Sequence, residues 1–333
     1  MSFRWRWLRG CALAAAWLST AGSTNAAEPS VVVTVKPVHA LVAAVMQGAG
    51  SPHLLIDGGA SPHSYAMKPS EMRRLAEAEL VVRVSSGLEV FLEKPLAMLG
   101  SRTRVVALDR IPGMRLHALR DGAAFEAHGH ADEKGGHGHR HDHGRSHAQA
   151  SGHSRAAPGA SIDGHLWLDP GNARIAALYV AEALAAAVPS AADTYRANAR
   201  ALADRLAALD QRLAGELQPL SQRRFLVFHD AYQYFERRYG LAGVGSVTVS
   251  PEVPPSARRL SAIRARLARD NVVCVFAEPQ FPSRVIGTIV EGTGVRRATL
   301  DPLGAALPAG PGQYFALMEG LVRDLKDCLA GSA

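Results

Sequence analysis

The distribution of apolar residues predicts an α/β protein of two similar lobes, each built on a largely parallel four-stranded sheet, joined by a long rigid helix. Two features of the chain carry this expectation. Short β-branched runs alternate with helical stretches in both halves, and strands separated by helices of that size need crossover connections, which make parallel sheets. Between the halves, Tyr195, Ala199, Leu202, Leu206, Leu209, Leu213 and Leu217 recur at steps of four and three, so residues 190–218 present one apolar helical face.

In the first half, strands are expected at 31–35, 53–57, 80–84 and 104–108, with helices at 38–47, 69–78 and 88–99. A helix at 172–188 and a longer one opened by Ser190, with Asp193 three residues on as a capping signal, follow. The second half repeats the rhythm, with strands at 225–228, 244–249, 272–277 and 295–300 and helices at 231–239, 256–270, 283–291 and 313–329. The halves share an architecture without a clear sequence repeat. The predicted organisation is a first lobe over 28–170, linking helices over 171–218 and a second lobe over 219–333.

Residues 1–27 read differently. Arg4, Arg6 and Arg9 precede an apolar stretch and then small residues ending Asn25-Ala26-Ala27, the pattern of a secretory signal peptide. Cys11 stands ahead of most of that stretch, whereas a lipid-modified cysteine would follow it. An exported, periplasmic protein is expected. Three charges of the formal net +7 lie in this leader, and Lys and Arg form no cluster with interleaved aromatics, so nucleic acid is not an expected partner. Length and composition, 333 residues with 47% hydrophobic and 20% charged, suffice for two packed cores.

Export leaves Cys274, inside a strand-like run, and Cys328, in the last turns of the final helix, where thiols tend to pair. A disulfide tying that helix to its sheet is expected, with two buried free thiols as the alternative. The stretch 118–162 breaks the α/β rhythm. Its residues 128–153 hold 8 His and 6 Gly with no apolar period, which predicts a disordered His-rich loop.

In open α/β sheets, ligands bind beyond the carboxyl ends of the strands. His229 follows the strand at 225–228, Asp301 follows 295–300, and His63 lies in the Gly58-Gly59-Ala60-Ser61-Pro62-His63 loop past 53–57. His165 stands where the first lobe hands over to the linking helices. Three imidazoles and a carboxylate suit a four-coordinate zinc ion, and three nitrogens favour zinc over manganese. Glu278 also ends a strand and competes with Asp301 for the fourth place, either as a ligand or as a group supporting one. His39 also passes this placement test, whereas His53 opens a strand and reads as structural.

The motifs Lys36-Pro37-Val38-His39-Ala40-Leu41, Ser61-Pro62-His63 continuing to Met67-Lys68-Pro69-Ser70, Gly164-His165-Leu166-Trp167-Leu168-Asp169-Pro170, Phe228-His229-Asp230-Ala231-Tyr232 and Ala277-Glu278-Pro279-Gln280-Phe281 say more. Together they resemble the zinc-specific periplasmic solute-binding proteins of bacterial ABC importers, the high-affinity zinc uptake proteins of the ZnuA type. The resemblance implies an interlobe zinc, carried as transported substrate and delivered to a membrane permease; a monomer without catalytic activity is expected. It places the family's three metal histidines on His63, His165 and His229, its aspartate on Asp301 and its cysteine pair on Cys274 and Cys328. Manganese-handling relatives put a carboxylate where this chain has His229. Two departures stand out, Ser64 where an aspartate usually follows the loop histidine, and Pro62 where some members carry an acidic residue.

The motif resemblance lies outside the His-rich loop, but the type often carries such an insert at the same place, and His128, His130, His137, His139, His141, His143, His147 and His153 are expected as auxiliary weak metal ligands. Two other readings remain at this point. One is a periplasmic zinc buffer or chaperone acting through that loop. The other is a secreted zinc hydrolase, in which Glu278 would act as base on a zinc-bound water.

Overall fold

The computed structural model describes residues 29–120, 161–248, 251–282 and 284–331. The signal peptide expected over 1–27 and the loop histidines from His128 to His153 lie outside the described residues.

Two four-stranded, wholly parallel sheets form the frame. The first comprises β1 (Val31–Val35), β2 (His53–Ile56), β3 (Leu80–Arg83) and β4 (Arg104–Ala107), interleaved with helices α1 (Lys36–Met46), α2 (Pro69–Glu77) and α3 (Glu93–Ala97). Helices α4 (Pro170–Ala187) and α5 (Ala192–Leu217) follow. The second sheet comprises β5 (Arg224–Val227), β6 (Ala242–Ser246), β7 (Cys274–Ala277) and β8 (Arg296–Thr299), with α6 (Gln233–Tyr239), α7 (Ala257–Arg269), α8 (Arg284–Val290) and α9 (Gln313–Ala330). Strand order is 2-1-3-4 in one sheet and 6-5-7-8 in the other, so the halves repeat one topology despite their unlike sequences.

Helix α1 explains why the halves hold together. Every residue of it except Ala43 is buried, and a helix apolar on all sides belongs inside a core. It packs against α4, α5 and α9, which joins the two halves. One hydrophobic cluster accordingly runs without a break from Val31 of β1 to Leu329 of α9. The 26 residues of α5 extend about 39 Å at about 1.5 Å per residue. All seven apolar positions expected on its inner face are buried.

Three local expectations are corrected. Pro189 opens a single 3-10 turn over Pro189–Ala191, so α5 starts at Ala192 and Ser190 does not cap it. The helix expected at 88–99 is a 3-10 turn, Val90–Leu92, followed by the short α3. Pro95 lacks an amide hydrogen and is tolerated only in a first helical turn, which prevents the helix from starting much earlier. The stem of the segment read as a loop over 118–162 is ordered, with Ala118 bridging antiparallel to Ile162 and Leu119 N donating to Ser161 O at 2.9 Å.

Cys274 and Cys328 form a disulfide, Cα to Cα 6.1 Å, joining β7 to α9. His39 is buried on α1 with its Nε2 3.1 Å from Pro52 O, and His53 lies beside Arg74.

Leu206 is fully buried at the middle of α5. Leu206→Ala should lower the unfolding free energy by about 2–5 kcal/mol in denaturant titration. Burial, against the pull of the Pro52 carbonyl, lowers the His39 pKa from 6.5. A lowered folded-state value means that the unfolded chain takes up the proton first. The stabilising contribution is therefore complete above pH 6.5 and declines as pH falls below it. Stability curves of the parent and His39→Gln should diverge in that direction, the variant losing less on acidification.

Candidate metal centre

The carboxyl ends of both sheets face one another, and the loops that leave them meet. His63 rides on the loop between β2 and α2, whose turn uses Gly58 at φ +72°. His229 stands two residues beyond the end of β5, Glu278 one beyond β7 and Asp301 two beyond β8. His165 caps a 3-10 turn, Leu166–Leu168, that runs into α4, where Asp169 accepts the Gly171 amide at 2.7 Å. Gly164 just before it lies against Leu88, where a Cβ would come within 2.8 Å of the leucine Cβ. Only glycine lets that peptide through.

The three histidines converge. Their ring centroids are 5.2, 5.4 and 5.5 Å apart, and one nitrogen from each falls within 4.8 Å of the other two. His165 and His229 are buried. Nε2 of His165 lies 3.3 Å from Nε2 of His229. Two nitrogens each about 2.0–2.1 Å from one tetrahedral zinc ion would stand about 3.3 Å apart.

Carboxylates fix the other face of both rings. His229 Nδ1 is 2.7 Å from Glu278 Oε1, which also accepts the His229 amide at 3.2 Å. His165 Nδ1 is 2.7 Å from Asp163 Oδ1, which also accepts the His165 amide at 3.0 Å. With Nδ1–H donated backwards, each Nε2 lone pair points into the shared space, and the carboxylate makes the ring a better donor to a metal. Burial resists a charge on His229, but Glu278 and its hydrogen bond outweigh that and raise its pKa. Pro62, Trp167, Gln280, Phe281, Pro302 and Leu303 join the histidines in lining a cavity of about 10 Å³, near the space of one water-sized sphere.

Asp301 sits at the edge of this arrangement, outside the group of three nitrogens. Its Oδ1 accepts the amides of Leu303 and Gly304, both at 3.0 Å, and Nε2 of Gln280 at 2.7 Å. Oδ2 accepts only the Ala305 amide, at 2.6 Å, among the hydrogen bonds described. Its loop is anchored to the first half by buried Lys36, whose Nζ donates to Ala305 O at 2.9 Å and Leu307 O at 3.1 Å. Glu278 stands behind His229. His39 does not approach the cluster. Sequence reasoning missed Asp163, although its spacing to His165, two residues away, was a usable signal. The roles of Lys36 and Gln280 had no signal beyond their motifs.

A sequence model described as "Zinc-uptake complex component A periplasmic" (ZnuA) matches residues 31–328. The chain belongs to the ZnuA family. The high-affinity zinc uptake system protein ZnuA of Brucella suis is 42% identical over 325 residues, covering 96% of this chain and 97% of that protein. Its Yersinia pestis counterpart is 36% identical over 324 residues, 97% and 98% of the two chains. A crystal structure of ZnuA superposes with a TM-score of 0.71 at 24% identity over 90% of this chain and 98% of the other. The solute-binding protein FpvC of Pseudomonas aeruginosa, in complex with Mn2+, also gives 0.71, at 22% identity over 91% and 99%. The two structures show that this ZnuA-family chain shares their fold.

Glu278→Gln keeps the shape but removes the charge behind His229. It should weaken zinc binding about 10–100-fold in chelator competition, with the protein still folded by circular dichroism.

Proposed function

We propose that this ZnuA-family protein is a periplasmic, high-affinity zinc-binding protein that delivers zinc to an ABC-type importer. The observation that carries the reading is the pair of carboxylate-backed imidazoles whose Nε2 atoms stand 3.3 Å apart in a small cavity. His63, His165 and His229 supply three nitrogens. Asp301 Oδ2 completes a four-coordinate shell, and Glu278 supports His229 from behind. Nitrogen-rich donors suit zinc better than magnesium, calcium or manganese.

The protein binds and releases its ion without chemistry. Catalytic zinc keeps an open position for water and a base nearby. Here the carboxylate that would serve as base, Glu278, is already engaged through Oε1 by His229 Nδ1 at 2.7 Å and by the His229 amide at 3.2 Å. The hydrolase reading is thereby disfavoured. Capture and release require only a small movement, since a wide hinge would have to break the core that runs through both halves. The mature protein acts as a monomer, and its partner is the importer's membrane permease.

The test is a chelator-competition zinc titration of the mature protein lacking residues 128–153. One tight equivalent is expected, and it should disappear in His229→Ala. If removing 128–153 abolishes all tight binding, the buffer or chaperone reading replaces this one.

A further inference from the structure

The segment 117–120 leads away from the first half, yet it is tied to the second. Arg120 Nε donates to both carboxylate oxygens of Asp230, at 3.1 and 2.9 Å, and Nη2 donates to Asp230 Oδ1. Nη1 of the same guanidinium donates to Glu236 Oε2, and Nη2 approaches Glu236 Oε1 at 3.4 Å. The group is largely buried, with side-chain exposures of 16% for Arg120, 18% for Asp230 and 5% for Glu236. Glu236 lies flat on Gly243 of β6, where a Cβ would come within 2.4 Å of its Oε1. An arginine fork that bridges two carboxylates fixes direction as well as distance.

Both ends of that fork matter to the metal centre. Asp230 directly follows His229. On the other side, the segment carrying Arg120 pairs with 161–163 through one antiparallel bridge: Leu119 N donates to Ser161 O and Asp163 N to His117 O, both at 2.9 Å. Tyr234 of α6 joins the same stem, accepting from His117 N and donating to Asp163 O, each at 3.0 Å. Gln233 Nε2 adds a bond to Ala118 O at 3.1 Å. The stem ends at Asp163, whose carboxylate orients His165.

We propose that Arg120 is a positioning residue for the metal centre: by clamping the stem to Asp230 and Glu236, it sets where Asp163 holds His165 relative to His229. The inference rests on the proposed zinc site. It assigns to Arg120 a part in the lifetime of the bound ion that its distance from the three nitrogens does not suggest.

The full mature chain tests it, with zinc affinity and zinc release rate measured by chelator competition well below the melting temperature. Arg120→Met is expected to weaken binding about tenfold, chiefly through faster release, in line with the loss of other outer partners of metal ligands. Arg120→Lys should recover part of the loss, because an ammonium can pair with one carboxylate but cannot fork across two. Asp163→Asn should also weaken binding, and Arg120→Met combined with it should be no weaker than Asp163→Asn alone, because the arginine acts through that aspartate. Arg120→Met that melts earlier but holds and releases zinc like the parent would reduce Arg120 to a structural ion pair and overturn the proposal. Independent losses that multiply in the double variant would overturn the route through Asp163. If Arg120→Met does not fold, Glu236→Gln loosens the same fork, and the same criteria apply. A parent protein without a tight zinc equivalent would defeat the functional reading itself, and this inference with it. A tight parent with an equally tight Arg120→Met defeats only the inference.

Discussion

Two imidazole nitrogens facing each other at 3.3 Å are the constraint on which the rest of this structure depends. Each ring gives its Nδ1–H to a buried carboxylate, so two lone pairs meet across a space about the size of one water molecule. Asp163 and Glu278 are almost fully buried, and burying two carboxylates is costly unless positive charge enters the same space. A divalent cation resolves both difficulties, being acceptor to the lone pairs and counter-charge to the carboxylates. The parallel sheets matter because they bring the loops bearing His63, His229, Glu278 and Asp301 to one seam.

Chain order and mechanical attachment differ at this seam. His165 follows the first sheet in sequence, but its peptide is held mainly from the second half. Tyr314 Oη donates to Trp167 O at 2.7 Å, Trp167 Nε1 to Pro302 O at 2.8 Å and Tyr234 Oη to Asp163 O at 3.0 Å. His165, His229 and Asp301 thus share one rigid support. His63 alone arrives on a loop of the first half, which touches the second through Ser61 Oγ and Glu252 at 3.2 Å.

Much of this was readable from the residues. Alternating β-branched runs and helices gave both sheets, because a strand buried on two faces reads as a continuous apolar run, as 274–277 does. The face of α5 was readable to the residue, since seven apolar side chains over six turns admit one helical phase. The convergence of His63, His165 and His229 followed from strand ends and family motifs. Asp163 escaped because an aspartate closing a polar stretch looks like a turn until its partner ring is in place. The division of 88–99 depended on Pro95 and on Glu89, which turns inward to accept the Val84 and Ser85 amides. The bonds on Asp301 could not be foreseen either, because they come from backbone amides that any sequence would offer.

The disulfide has a meaning for how the molecule is made. Cys274 and Cys328 close a covalent ring of chain 54 residues apart in sequence, and Glu278, Gln280 and Asp301 all lie inside that ring. The pair also staples the final helix, and with it Tyr314, to β7, the inner strand that leads to Glu278. A thiol-reducing cytosol would leave this half of the centre held by packing alone, whereas an oxidising compartment cross-links it. The polypeptide thus reaches its fully braced form only where its thiols can be oxidised, which makes the setting of this half of the centre a matter of compartment as well as of sequence.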